Sequence, residues 1–215
     1  MTLTSLVNYL IQAPLTSKIL ERVKSKDRLL ITGGGITSKA LLVTSLAKLE
    51  NRPIFIVVPT MEEAGRWHSM LNVMGWKFTF IYPTSEISPY EQLDTTNEIL
   101  WGQLQVLSEI ISDNNIEFNA IIATERSLQP HLPSPSVFKR NCILLEKKKT
   151  IDIDNLSKLL SQIGYIRQSN VDQEGTFSRR GDIIDIFPVN SDLPIRLELF
   201  GDEIEKIREF DPITQ

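Results

Sequence analysis

Residues 28–40 read RLLITGGGITSKA: an apolar run, three glycines, a lysine and the start of a helical pattern. A strand that leads through a glycine-rich loop and a lysine into a helix is the layout of a phosphate-binding P-loop. In the template G-x-x-x-x-G-K-[ST], Gly33 matches the first glycine and Lys39 matches the lysine. The stretch therefore predicts a strand at 28–32, a helix at 38–49 and an α/β sheet around them.

The loop departs from this template in ways that matter for chemistry. Ser38 replaces the second glycine, and its Cβ obstructs backbone that must wrap closely around phosphate. Ala40 replaces the residue whose hydroxyl binds magnesium, and alanine offers no oxygen. Glu125, the one acidic candidate for a magnesium partner after a buried strand, lacks the usual preceding aspartate. The sequence therefore predicts a degenerate nucleotide loop that does not hydrolyse ATP. The residues of this loop are Gly33, Ser38, Lys39 and Ala40.

The first part of the chain alternates short apolar runs with helical patterns, which predicts a mainly parallel sheet covered by helices. The predicted strands are 54–58, 77–81 and 120–123, and the predicted helices are 61–74 and 97–111.

Prolines interrupt this pattern at 130–135, and we place a domain boundary near Arg140. The predicted fold class is α/β: a degenerate P-loop NTPase-like parallel-sheet domain at 1–140, followed by a small α+β domain at 141–215. In the second domain we expect a helix at 153–163 and a hairpin turn at Gly201-Asp202. Its predicted strands are 141–145, 183–187, 195–200 and 203–210.

Composition bounds the class of protein. The chain has 215 residues, of which 41% are hydrophobic and 23% charged, as in ordinary folded domains. Its net charge of −4 argues against a large basic nucleic-acid surface. The single cysteine, Cys142, favours a reducing compartment, and no apolar run is long enough to predict a membrane span, so we expect a cytoplasmic protein. The uncapped, uncharged ending suggests a piece of a longer protein.

Catalytic and metal-binding signals are weak. His68 and His131 lie far apart in the sequence without clustered ligands, so no metal site is predicted. The sequence contains no G-x-S-x-G motif of a nucleophilic serine. The lysine run at 147–149 is typical of a solvated strand end, with nucleic-acid contact as the alternative.

Strand alternation at 195–200 predicts a surface with an unusual composition. Apolar residues at every second position point to the core, so Arg196, Glu198 and Phe200 share the outward side, which we call the charged face. A phenylalanine on such a face suits an exposed anchor in a partner interface. Alternatively, Phe200 covers a core edge while Arg196 pairs with Glu198 or Asp202. Arg179 and Arg180 are expected to enter the neighbouring strand.

Two stretches of the second domain resemble a known family. Residues 174–188 (EGTFSRRGDIIDIFP) and 194–205 (PIRLELFGDEIE), followed by Phe210-Asp211-Pro212, are similar to the second domain of UvrB and of the transcription-repair coupling factors, the Mfd family. Pro89-Tyr90-Glu91 also resembles the shared module. The degenerate loop and the short link from Ala123 to Cys142 favour a resemblance to the N-terminal, UvrB-homologous part of the coupling factors, because UvrB keeps an intact P-loop and carries a long DNA-clamping hairpin.

The resemblance implies a docking role. In that family the second domain binds the damage-recognition protein UvrA, and the contacting positions map onto Arg180, Arg196 and Phe200. RNA polymerase and DNA would be bound through other domains of the parent protein, and ATP and magnesium are expected only in its motor, with no cofactor in this part. The alternatives are a UvrB-like nucleotide-dependent DNA helicase fragment and a purely structural scaffold segment.

Overall fold

The computed structural model describes residues 2–26, 28–84, 96–112, 119–129 and 132–214. The chain divides into two compact units, one made of Met1–Leu93 and Asp113–His131 and the other of Asp94–Ser112 and Leu132–Gln215. This division reflects how compactly parts of the chain pack and does not test where a domain ends. The predicted boundary near Arg140 therefore stays a prediction. None of the helices within the described ranges is long and apolar enough to cross a membrane.

The first unit combines four α-helices, three strands and a short 3-10 helix at Arg126–Leu128 among its described residues. Thr60 caps the fourth helix by accepting a hydrogen bond from the backbone N–H of Glu63, and Pro14 opens the second helix at a position that tolerates proline. In chain order the elements are α1 (Leu3–Ile11), α2 (Pro14–Lys24), α3 (Ile36–Glu50), β1 (Ile54–Val58), α4 (Met61–Val73), β2 (Phe78–Tyr82) and β3 (Asn119–Thr124).

The sheet of this unit has the order β1-β3-β2, and both strand pairs are parallel. One side of the sheet packs against the helices around Ala120 and Ile122, both fully buried. Trp76 lies in the same core, where its indole N–H donates a hydrogen bond of 2.9 Å to the hydroxyl of Thr44 in α3. The predicted parallel sheet is confirmed, and helices cover the side that carries Ala120 and Ile122.

The opposite side of the same sheet is partly exposed: Tyr82 and Ala123 on this side are buried, whereas several apolar residues are not. Alternation places Phe55 and Val57 of β1 on this side, where their exposed fractions are 55% and 52%. Phe78 of β2 is 44% exposed. These three residues therefore expose apolar surface on this side of the sheet.

The second unit contains the remaining elements. In chain order they are α5 (Thr96–Ser112), α6 (Pro135–Arg140), α7 (Ile153–Gln162), β4 (Ile166–Arg167), β5 (Thr176–Arg180), β6 (Ile183–Ile186), β7 (Ile195–Phe200) and β8 (Glu203–Glu209). The sheet order is β4-β5-β6-β7-β8, with β4 parallel to β5 and the other pairs antiparallel. Leu156 and Leu160 of α7 lie in one buried cluster with Phe177, Ile184 and Leu197 of the sheet. The α/β fold class with a second, mixed sheet is confirmed.

Helix α5 packs within this unit through a site that requires glycine. Gly175 has φ +73°, and a Cβ at that position would lie 2.5 Å from Cζ2 of Trp101. The Trp101 ring also lies 6.3 Å from the ring of Tyr165, whose hydroxyl accepts a hydrogen bond from the backbone N–H of Val189. The absence of a side chain at position 175 therefore lets the indole approach the backbone.

Three sequence predictions are wrong. Residues 28–32 form no strand, and Leu30 is 89% exposed, because an apolar run becomes a strand only where a ladder partner satisfies its backbone. Residues 141–145 also form no strand, although Ile143 and Leu145 pack against the core. Conversely, the proline-rich break contains helix α6, which starts at Pro135 because proline fits the first turn of a helix.

Candidate functional site

The charged face extends across four strands of the second sheet. Cross-strand partners in antiparallel strands share a side, so the register fixes its members. One row consists of Ser178, Asp185, Arg196 and Arg208, and the next of Arg180, Ile183, Glu198 and Lys206. Phe200 lies opposite Glu203 at the hairpin end. The predicted division of β7 into a core side and an outward side is confirmed.

Arg196 is held by a bidentate ion pair that the sequence analysis did not predict. Its Nε donates to one carboxylate oxygen of Asp185 at 2.6 Å, and its Nη2 donates to the other at 2.8 Å. Only 16% of the Arg196 side chain and 4% of the Asp185 side chain are exposed. Neither Glu198 nor Asp202 makes this pair, so that part of the prediction is wrong.

The surroundings of Arg196 favour its charged form. The hydrogen bonds that Arg196 donates to Asp185 raise the pKa of Arg196 above its ordinary value, although burial opposes that shift. The guanidinium carbon lies 4.8 Å from the centre of the Phe210 ring, within cation–π distance. A signal for this partner exists in the sequence, because Asp185 is a lone acid inside the apolar run IIDIF.

Glu198 organises the neighbouring part of the charged face. Its carboxylate accepts from Nζ of Lys206 at 3.3 Å and lies 2.6 Å from Nη2 of Arg208. The glutamate is half-buried, whereas both cations are mostly exposed. These cross-strand pairs contribute little energy individually, but they fix the positions of charges around Arg196.

Phe200 is exposed, as one of the two sequence interpretations predicted. Its exposed fraction is 81%, and it ends β7 directly before the turn at Gly201, whose φ is +61°. The residues around the lysine run brace this hairpin: the N–H of Ile151 donates to the carbonyl of Asp202 at 2.6 Å, and the N–H of Ile204 donates to the carbonyl of Lys149 at 3.0 Å. The ring is therefore presented by a supported hairpin.

Arg180 lies on the charged face but not beside Phe200. It is exposed at the end of β5, and its Nη2 donates to the carbonyl of Ser169 at 3.1 Å. Strand β6 separates β5 from β7, so the expectation of a neighbouring strand is wrong. Arg179 is on the core side of β5, where it pairs with Asp154 in α7. That pairing lowers the pKa of Asp154, through the hydrogen bond from Arg179 first and its charge second.

The predicted nucleotide loop keeps its glycines but not its layout. Gly33 and Gly34 have left-handed φ values of +78° and +71°. Helix α3 starts at Ile36, so part of the stretch that wraps phosphate in the template is already helical. Lys39 is exposed, and Ala40 is fully buried in the first core. Within the described ranges, no group of three or more His, Cys, Asp or Glu residues could hold a metal ion.

The second unit also contains a cavity of about 440 Å³. It is lined by apolar residues of the core side, among them Leu156, Leu160 and Ile195, and therefore lies away from the charged face. Cys142 is at its edge, and partial burial raises the pKa of that thiol. Sequence reasoning did not predict this cavity, since apolar spacing does not reveal imperfect packing between helices and sheet.

A comparison with protein families found a match for the part of the chain that carries the charged face. Residues 143–215 match the family model of the UvrB interaction domain. That range contains all five strands of the second sheet, including Arg180, Arg196 and Phe200. Residues 143–215 therefore resemble a known protein-interaction module.

The chain is also similar to several curated transcription-repair-coupling factors. The protein of Bacillus subtilis (strain 168) is 28% identical over 187 residues, which cover 86% of this chain and 16% of the relative. Those of Haemophilus influenzae (strain ATCC 51907) and Escherichia coli (strain K12) are 27% and 26% identical over 176 residues, covering 82% of this chain. The predicted resemblance to the coupling factors is confirmed. This chain spans 15–16% of the length of these three relatives.

Proposed function

We propose that this chain is a non-catalytic docking module that binds UvrA. Within a transcription-repair coupling factor, it recruits UvrA to stalled RNA polymerase for nucleotide excision repair. The match to a UvrB interaction domain and the names of the relatives support this proposal. Contacts with RNA polymerase and DNA belong to other parts of the parent protein, and the proposed location is the cytoplasm.

The observation that carries the proposal is the exposure of Phe200. A large aromatic side chain that is 81% exposed leaves most of its apolar surface in water. Such residues, when surrounded by polar neighbours, commonly become the central anchors of protein interfaces. The charged rows of β6, β7 and β8 provide that surround.

The two arginines are proposed to contribute differently. Arg180 is exposed, so its guanidinium is accessible to a partner. Arg196 is mostly buried by Asp185 and Phe210, so only a small part of its side chain is available for contact. We therefore assign Phe200 the largest share of the binding energy and Arg196 a role at the base of the interface.

The main experiment is a calorimetric titration of the 215-residue chain with purified UvrA. The Phe200→Ala variant should bind about thirtyfold more weakly, because an aromatic anchor contributes about 2 kcal/mol or more. Tyr9→Ala is a matched control, since Tyr9 is an exposed aromatic residue in the first unit. Wild-type affinity in both variants would place the interface elsewhere, and no binding by the wild-type chain would reject docking in favour of a structural scaffold.

A second experiment addresses the alternative of a nucleotide-dependent helicase fragment. The early start of α3 and the burial of Ala40 favour an inactive loop. We expect no magnesium-dependent ATP turnover by the chain, with or without DNA. Sustained turnover that is abolished by Lys39→Ala would replace the proposal with the helicase alternative.

A further inference from the structure

The Asp185–Arg196 pair carries an inference that deepens the proposed function and rests on it. Asp185 is not among the positions that the family resemblance assigns to UvrA contact. Its side chain is 4% exposed, and a buried carboxylate is costly unless it is paired and hydrogen-bonded. Replacing such a pair with apolar residues often costs a protein nothing in stability, so stability alone does not account for the pair.

The geometry fixes which part of the guanidinium is in use. Asp185 accepts from Nε and from Nη2, and Phe210 lies 4.8 Å from the guanidinium carbon. A guanidinium has five N–H donors in one plane, so three of them are not used by Asp185. Among the described residues, Asp185 is the one hydrogen-bond partner of this side chain.

We propose that Asp185 is a positioning residue for docking: it holds the Arg196 guanidinium in one orientation, so that the remaining N–H groups meet acceptor oxygens of the partner. An arginine side chain on a surface loses rotamer freedom when it binds, and a side chain that is already held loses less. Asp185 contributes to affinity through Arg196, without touching the partner.

A double-mutant cycle tests this coupling. The dissociation constant for UvrA is measured for the wild-type chain, Asp185→Asn, Arg196→Lys and the double variant. Lysine keeps the charge but lacks the planar fork that Asp185 engages. Asp185→Asn should weaken binding about tenfold in the wild-type background and less than about twofold in the R196K background, because coupled residues are non-additive.

A matched control separates positioning from general electrostatics. Asp154 is also a carboxylate paired with an arginine, Arg179, but it lies on the helix on the core side of the sheet. Asp154→Asn should change the dissociation constant less than about twofold in either background, since it is distant from the coupled pair. An equal fold-change from Asp185→Asn in both backgrounds, or unchanged affinity, would overturn the positioning role.

Folding is checked separately by circular dichroism, with all titrations performed well below the melting temperature of each variant. If Asp185→Asn fails to fold, Asp185→Glu replaces it in the cycle, because glutamate keeps the charge and moves the carboxylate outward by one methylene. The same non-additivity is then expected, and its absence overturns the proposal. If the wild-type chain does not bind UvrA, the proposed function itself is rejected. If the wild-type chain binds and the Asp185 variant binds with the same affinity, only the positioning role is rejected.

Discussion

The predicted nucleotide loop of the first unit and the charged face of the second unit differ in how well their side chains are organised. The loop retains left-handed glycines at Gly33 and Gly34, but Ala40 is buried and Lys39 is exposed. On the charged face, by contrast, Arg196 has a bidentate partner and Glu198 has two cationic neighbours. The first region therefore matches its template in backbone conformation alone, whereas the second has paired side chains.

This difference shows why a motif and a surface need different evidence. A phosphate loop depends on single residues at fixed positions, so the loss of one hydroxyl removes its magnesium ligand. A sheet face depends on pairs of residues brought together by register, which a linear pattern does not display. Four substitutions test this contrast between the two regions.

The largest effect is expected from Arg196→Ala. Removing the guanidinium leaves the Asp185 carboxylate buried without its partner, so the free energy of unfolding should fall by about 3–5 kcal/mol. Urea denaturation at constant pH measures this change. The double replacement Asp185→Leu with Arg196→Met should restore most of the loss, and a single variant as stable as wild type would show that the pair is energetically idle.

Ala40→Thr should have the next largest effect. The substitution restores the template hydroxyl but inserts a larger, polar side chain into a packed core, which should lower the unfolding free energy by about 1–3 kcal/mol. Thermal and urea unfolding provide the measurement, with Ser38→Gly at an exposed position as the control. A stable Ala40→Thr variant that turned over ATP would mean that the loop is one substitution from activity.

The Asp154–Arg179 pair predicts a modest dependence of stability on pH. The folded-state pKa of Asp154 is lowered from its ordinary value of 3.8, so the stabilisation is complete above that value and is lost as pH falls below it. Between about pH 5 and about pH 2.5, a range that brackets the ordinary pKa, the unfolding free energy of Asp154→Asn should therefore fall less than that of the wild-type protein. Identical acid profiles for the two proteins would contradict the assignment.

Lys39→Ala should have the smallest effect. The side chain is exposed and the loop lacks its template hydroxyl, so the unfolding free energy should stay within about 0.5 kcal/mol of wild type. Binding of UvrA should also be unchanged. Weaker UvrA binding by this variant would join the two regions functionally and remove the contrast between them.

Periodicity predicted the strands and helices whose side chains pack on one side. Strand β7 was predicted with its bounds, and α7 within one residue, because apolar spacing records burial directly. The prediction of a strand at 28–32 was wrong because a strand also needs a neighbouring strand as its hydrogen-bonding partner, which the local sequence does not reveal. Helices α1 and α2 were not predicted. Pro89-Tyr90-Glu91, which carry part of the resemblance, and His131 lie outside the described residues.

The candidate site was predictable in part for the same reason. Alternation placed Arg196 and Phe200 on one side of β7. The partners that we predicted for Arg196, Glu198 and Asp202, both belong to its own hairpin. The actual partner, Asp185, is contributed by β6 through the register Asp185 opposite Arg196. A single sequence contains both residues but not the alignment of their strands.

The exposed apolar residues on one side of the first sheet predict how the folded chain interacts with hydrophobic materials. Phe55, Val57 and Phe78 offer an apolar surface to anything hydrophobic in solution. Phenyl-substituted chromatography media should retain the folded chain, and excluded salts such as ammonium sulfate should precipitate it early. Environment-sensitive dyes, whose brightening usually reports loosened packing, should therefore brighten on the native protein as well.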